Sequence, residues 1–188
     1  DYLKDFQEIN NSIERSFTVN DWWNLFFRLS KWQLVFDSHK DSDLKHILQE
    51  QIQTCNRSFS NFIEINYKNI INSNNAEILS PNIGSKFLIP KLKQNKKICL
   101  IVIDCMRCDQ FLAVLPYLET LFNITISYHL SLIPSVTSFS RNAIFSGLYP
   151  DELINRYPEQ KELFINSESG LNKFEFNFLL DQLRRNGL

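Results

Sequence analysis

Apolar residues recur at spacings of three and four through roughly the first third of the chain, and the pattern then changes to unbroken apolar runs separated by polar turns. Over residues 1–15, Tyr2, Leu3, Phe6, Ile9 and Ile13 make one stripe along a helix. Thr18-Val19-Asn20-Asp21 supplies a Thr cap with a carboxylate three residues on, which predicts a second helix running through Phe36. Leu44, Ile47, Leu48, Ile52, Cys55, Phe59, Phe62, Ile63 and Ile70 keep helical spacing without Gly or Pro, predicting a third and longest helix from about Ser42. Three amphipathic helices joined by short turns bury their stripes against one another, so residues 1–74 are expected to form an antiparallel helical bundle. Trp22, Trp23, Phe26, Phe27 and Trp32 are read as core of that bundle rather than as a binding face. His39 and His46 stand seven positions apart, too far for a metal pair on one helix, and both are read as surface residues.

Residues 75–96 read as a linker, because Asn72 to Asn82 is rich in Asn and Ser, and Lys91, Lys93, Lys96 and Lys97 make a short solvated basic run. The segment 97–188 carries the second pattern. Ile98-Cys99-Leu100-Ile101-Val102-Ile103 is unbroken and rich in β-branched residues, as expected of a parallel strand buried on both faces, and Asp104 ends it. At the carboxyl edge of such a strand an Asp is placed to bind a metal or a polar substrate; an Asp capping the next helix fits equally well. Phe111, Leu112, Leu115, Leu118 and Leu121 predict that helix, and Ile124 to Leu132 predicts a returning strand, which together make one crossover unit of an α/β fold with a parallel sheet. Thr137 opens a further helix through Ser146. Its hydroxyl has a plain use in satisfying free amides there, and a chemical one as well: helix amino termini attract phosphate, and a divalent metal held by Asp104 would activate Thr137 as a nucleophile.

Composition narrows the classes. The chain has 188 residues, net charge −1 and 22% charged residues, so no global basic field exists to condense on nucleic acid or an anionic membrane. No apolar run is long enough to suggest a membrane span, and the amino terminus lacks a basic segment followed by an apolar one. Four cysteines, only two of them close together, make a poor disulfide framework, which fits a reducing compartment and a cytoplasmic protein. The chain starts at Asp1 inside one helical pattern and stops at Leu188 after another, as expected of a fragment.

The stretch KICLIVIDCMRCDQF, the returning strand, and then IPSVTSFSRNAIFSGLYPDEL resemble, in order and spacing, the first-strand and nucleophile segments of PglZ domains of the alkaline phosphatase superfamily. Gly147-Leu148-Tyr149-Pro150 also resembles phosphodiesterases and sulfatases of that superfamily, and residues 1–67 are similar to the bundle preceding the PglZ domain in PorX-like response regulators. The resemblance implies an amino-terminal helical bundle followed by the first part of an alkaline phosphatase-like α/β domain. It implies Asp104 as the first metal-ligating Asp, and Thr137 as the nucleophile that also contacts a zinc ion. Arg141 and Asn142, one turn into the same helix, are candidates to hold phosphate oxygens or to secure the helix.

Two zinc ions are implied for the intact domain, with the remaining Asp and His ligands downstream of the matched region. The implied substrates are phosphate esters such as oligonucleotides. The implied parent is a two-component protein with a receiver domain in cis, able to form a homodimer and controlling a type IX secretion system. Cys105-Met106-Arg107-Cys108 departs from the family, which more often shows Asn after the metal Asp. This CxxC is read as incidental, as are His129, taken as structural, and Asp109, taken as a solvated helix residue. The rival readings are a non-catalytic docking module and a thiol-based redox protein.

Overall fold

The structure, a computed structural model, describes residues 2–13, 17–37, 42–72, 78–160, 162 and 173–188. His39, residues 73–74 of the expected bundle, residues 75–77 of the expected linker and the chain's first residue lie outside the described residues. Among those described, the elements are α1 (Tyr2–Ile13), α2 (Val19–Asp37), α3 (Ser42–Asn72), a π-helical turn (Gly84–Leu88) leading into α4 (Ile89–Lys93), α5 (Cys108–Glu119), α6 (Thr137–Ser146), α7 (Pro150–Arg156), a 3-10 turn (Pro158–Gln160) and α8 (Glu175–Arg185). The chain divides into two compact units, Asp1–Asn75 with Ile103–Ser127, and Ala76–Val102 with Tyr128–Leu188.

In the first unit the predicted helices form where their caps and stripes demand. Thr18 Oγ1 accepts from the Asp21 amide at 3.2 Å while Asp21 Oδ2 accepts from the Thr18 amide at 2.8 Å, so two donors at the start of α2 are satisfied reciprocally. Tyr2, Ile9, Trp22, Leu25, Leu29, Phe36, Leu48 and Cys55 are buried together, each large apolar side chain contributing about 1.5–3 kcal/mol relative to exposure. The Tyr2 ring meets Trp32 and Phe36 edge-on at 5.0 and 4.9 Å between centroids, and Trp22 meets Phe17 and Phe59 at 4.8 and 5.3 Å. Buried Gln51 donates to the Phe6 carbonyl and to Asn10 Oδ1, both at 3.1 Å, which fixes α1 against α3 in register. Burial pushes the Tyr2 hydroxyl pKa up to about 12 and the Cys55 thiol up to about 11. The aromatic cluster is core only in part: Trp22 is buried and Trp32 packs against the core, whereas Phe26 is 57% exposed. Within the same unit α5 packs against α2.

The second unit is built on α6, α7 and α8. Phe178 and Leu153 are fully buried with Phe174, and Phe145, Leu148, Ile154 and Tyr157 close around them. Asp181 on α8 accepts from Arg156 Nε and Nη2 at 2.7 and 2.5 Å and from Arg185 Nε at 2.9 Å, and Arg185 donates to the Ser146 carbonyl. Buried Gln182 fits where α6 ends and the π-helical turn begins. A Cβ added to Gly84 would lie 2.5 Å from the end of its side chain, and one added to Gly147, at φ +65°, would lie 2.1 Å from it.

The expected α/β architecture with a parallel sheet is not formed among the described residues. Among the described residues the backbone pairs once in β fashion, through an isolated parallel bridge between Leu79 and Leu130 in the second unit. There the Leu130 amide donates to the Ile78 carbonyl at 2.8 Å, but the Leu132 amide turns to the Ser80 hydroxyl at 3.3 Å and the ladder goes no further. Among the described residues, 98–103 have no partner strand, with Ile101 74% and Ile103 64% exposed, and 123–129 form no strand either. The physical reason lies in what the pattern measures. A continuous apolar run shows that a segment can be buried on both faces, but a strand exists only through the ladder a neighbour supplies. No helix among the described residues is long and apolar enough to cross a membrane.

Candidate functional site

The helix that Thr137 was expected to open is α6, and Thr137 is its first helical residue, half-buried. The cap position is Val136, extended at φ −83°, ψ 151°, whose side chain bonds no backbone amide. The amino end of α6 thus gains no capping bond from its cap residue, and its Thr follows directly after. Ahead of it, the Ile133–Pro134 peptide is cis, and Ser131 Oγ donates to Ser140 Oγ at 2.8 Å while Ser140 Oγ donates to the Leu132 carbonyl at 3.2 Å, tying the approach segment to the first turn of α6. Buried Ser138 follows Thr137. The carboxyl end of α6 closes on Gly147 in the left-handed region, whose amide donates to the Ala143 carbonyl at 2.8 Å.

Arg141 and Asn142 face protein neighbours. Arg141 Nε is 2.5 Å from Glu175 Oε1 and its Nη2 donates to Glu175 Oε2 at 3.2 Å, which links α6 to the start of α8. Asn142 is 1% exposed; its Nδ2 donates to the Ser138 carbonyl at 3.0 Å, and its Oδ1 has no hydrogen-bond partner. A buried amide oxygen left without a donor costs about 1–3 kcal/mol, so Asn142 is an expensive residue to keep one turn behind Thr137.

Asp104 sits in an exposed turn of the first unit. Its Oδ1 accepts from the Cys105 amide at 2.9 Å, and the Cys105 sulfur lies 3.8 Å from the same oxygen. Cys105 has φ +58°, the left-handed region that L residues other than Asn and Asp seldom adopt. Asp109 is 5% exposed rather than solvated. It accepts from Arg107 Nε and Nη2 at 2.9 and 2.6 Å, and this guanidinium holds its carboxyl below the usual carboxylate range. The Gln110 side chain accepts from the Arg107 amide at 3.0 Å, so the start of α5 is fixed by side chains on both sides of the Asp104 turn's exit. His129 is exposed.

Asp104 and Thr137 therefore fall in different units. Among the described residues no group of three or more His, Cys, Asp or Glu side chains stands together, so these residues alone do not make a metal centre. Sequence reading missed Glu175 and Gln182, and nothing local could have found them, since each meets its partners across more than thirty residues. The Arg107–Asp109 clamp did have a local signal, a cation two positions before a carboxylate at a helix start.

Two family models match the chain. Residues 1–71 match the PorX response regulator linker domain, and residues 86–185 match the BREX system PglZ alkaline phosphatase-like domain. No curated protein matches it.

Proposed function

Since this chain belongs to the PglZ alkaline phosphatase-like family, with a PorX-type response-regulator linker region ahead of the PglZ segment, we propose that it is the output region of a two-component regulator that hydrolyses phosphate esters through Thr137. The observation that carries the reading is Thr137 at the first position of α6, within the PglZ match. Amide groups at a helix start point along the axis and carry a fraction of positive charge, so a phosphate drawn there meets the Thr137 hydroxyl. Attack of Oγ1 on phosphorus forms a phosphothreonine while the hydroxyl proton passes through water to the departing ester oxygen. Hydrolysis of that intermediate returns the hydroxyl and releases phosphate or a phosphate monoester.

Alkaline phosphatase-like domains depend on metal ions as a class. Zinc, with Asp104 as one ligand, belongs to the proposal. Because the described residues do not by themselves complete such a centre, its other ligands are assigned to no residue of this chain. Arg141 is proposed to exchange Glu175 for phosphate oxygens, one bidentate anion for another, while Asn142 supports the first turn of α6. A receiver domain in cis and oligonucleotide-type substrates complete the reading.

The test is zinc content and bis-p-nitrophenyl phosphate hydrolysis by the full-length protein beside Thr137→Ala and Thr137→Ser. Loss of the nucleophile lowers turnover by at least about 100-fold, and Ser retains part of it. Equal turnover in wild type and Thr137→Ala would remove the assignment and favour the docking-module reading, to which the exposed apolar side chains of Ile101 and Ile103 already lend support.

A further inference from the structure

Cys105 and Cys108 take no part in the proposed reaction, yet they bracket the exit of the Asp104 turn. Both thiols are free; Cys105 is exposed and Cys108, the first residue of α5, is half-buried. Three features set them apart from the other cysteines. They are three positions apart, the Cys-X-X-Cys spacing of reactive thiol pairs, and the loop between them is short, so closing it costs little chain entropy. The backbone between them is bent by the left-handed Cys105, at φ +58°, rather than running straight into the helix. The one cation in the interval, Arg107, is bound to Asp109 through its Nε and Nη2. By contrast Cys55 is 3% exposed inside the bundle.

We propose that Cys105 and Cys108 form a reversible disulfide, a redox-responsive modification site that changes the hydrogen bonding of Asp104. The oxidant is a small disulfide such as oxidised glutathione. The Cys105 sulfur attacks one of its sulfurs, giving a protein–glutathione mixed disulfide and releasing one glutathione thiol. The Cys108 sulfur then attacks Cys105, forming the internal bond and releasing the second glutathione thiol. Two electrons pass to the glutathione disulfide, and the protons of the two cysteines end on the two released thiols. In the reduced protein the Cys105 sulfur lies 3.8 Å from Asp104 Oδ1 and can give it a weak S–H bond. Oxidation removes that hydrogen and draws the sulfur toward α5, so the carboxylate keeps the Cys105 amide at 2.9 Å and becomes a more open acceptor. Pairing itself does not depend on any catalytic role for Asp104, so failure of the proposed phosphatase chemistry leaves this site standing, and the reverse.

The test is oxidation of the full chain with excess oxidised glutathione, alkylation of remaining thiols, and intact and peptide mass spectrometry. The expected product has lost two hydrogens, shows two of the four cysteines protected, carries the link within the 105–108 peptide, and reverts with dithiothreitol. Cys108→Ser is expected to stop at glutathione bound to Cys105. Three results would each overturn the proposal: four alkylated cysteines after oxidation, a stable mixed disulfide in the wild-type chain, or a link that recruits Cys99.

Discussion

At the scale of single residues, charge holds Asp181 in place. Two arginines from different elements converge on it, Arg156 from α7 and Arg185 from its own helix, and the Arg156 hydrogen bonds hold its pKa down to about 2. A carboxylate with a depressed folded-state pKa stabilises the fold above its unfolded value near 3.9 and loses that contribution as pH falls through the folded value. The second unit should therefore lose about 1 kcal/mol between about pH 4 and about pH 2 through this one group, after allowance for screening by water. Urea unfolding followed over that range should show the loss in wild type and a much smaller one in Arg156→Gln. An identical acid profile in the two proteins would mean that Asp181 is not held by Arg156. At the same scale Cys105 holds a left-handed φ of +58°, a conformation that Asn or Asp adopts at lower cost than Cys.

The elements themselves join through close fits that helical spacing does not encode. Gln182 is 2% exposed, and with its amide turned so that Nε2 faces the Phe145 carbonyl at 3.3 Å and Oε1 the Gly147 amide at 3.1 Å, both ends of the amide are satisfied. That fit holds α8 at the end of α6 and leaves no room for a Cβ on Gly84. Gly84→Ala should cost about 1–3 kcal/mol by overpacking, because a buried amide cannot swing into water to make way. In a Gln182→Ala background the same change should cost less than half as much, a coupling that a double-mutant cycle of chemical denaturation reads directly. Additive losses would show that Gly84 and Gln182 do not touch. The start of α2, by contrast, was legible, because a Thr cap and its Asp partner lie within four residues of one another and their bonds form as the spacing predicts. So was the start of α6 at Thr137. What was legible was local. The Arg141–Glu175 and Gln182–Gly147 contacts, which decide what the candidate phosphate side of α6 can reach, depend on where distant residues arrive.

For the molecule as a whole, the sequence pattern led to the right answer in the bundle and the wrong one in the segment 98–103, and the difference is physical. A helix satisfies its own backbone, so a stripe of Tyr2, Phe6 and Ile9 needs only a neighbouring face to bury against. An apolar run such as Ile98 to Ile103 needs partner strands, and among the described residues none pairs with it. The two architectures make opposite demands on one side chain. In a buried central strand Ile101→Lys would bury a charge and cost several kcal/mol. With Ile101 74% exposed, the same substitution should leave the unfolding midpoint unchanged to within about 0.5 kcal/mol and should raise solubility, since an exposed extended apolar segment invites association. Phe178→Ala, at a residue with 0% exposure in the core of the same unit, should cost about 3–5 kcal/mol and serves as the scale for the comparison. If Ile101→Lys destabilises the chain as much as Phe178→Ala does, residues 98–103 are buried in solution and the helical architecture of this unit is wrong; a near-neutral Ile101→Lys beside a costly Phe178→Ala fixes the core of the unit on α6, α7 and α8.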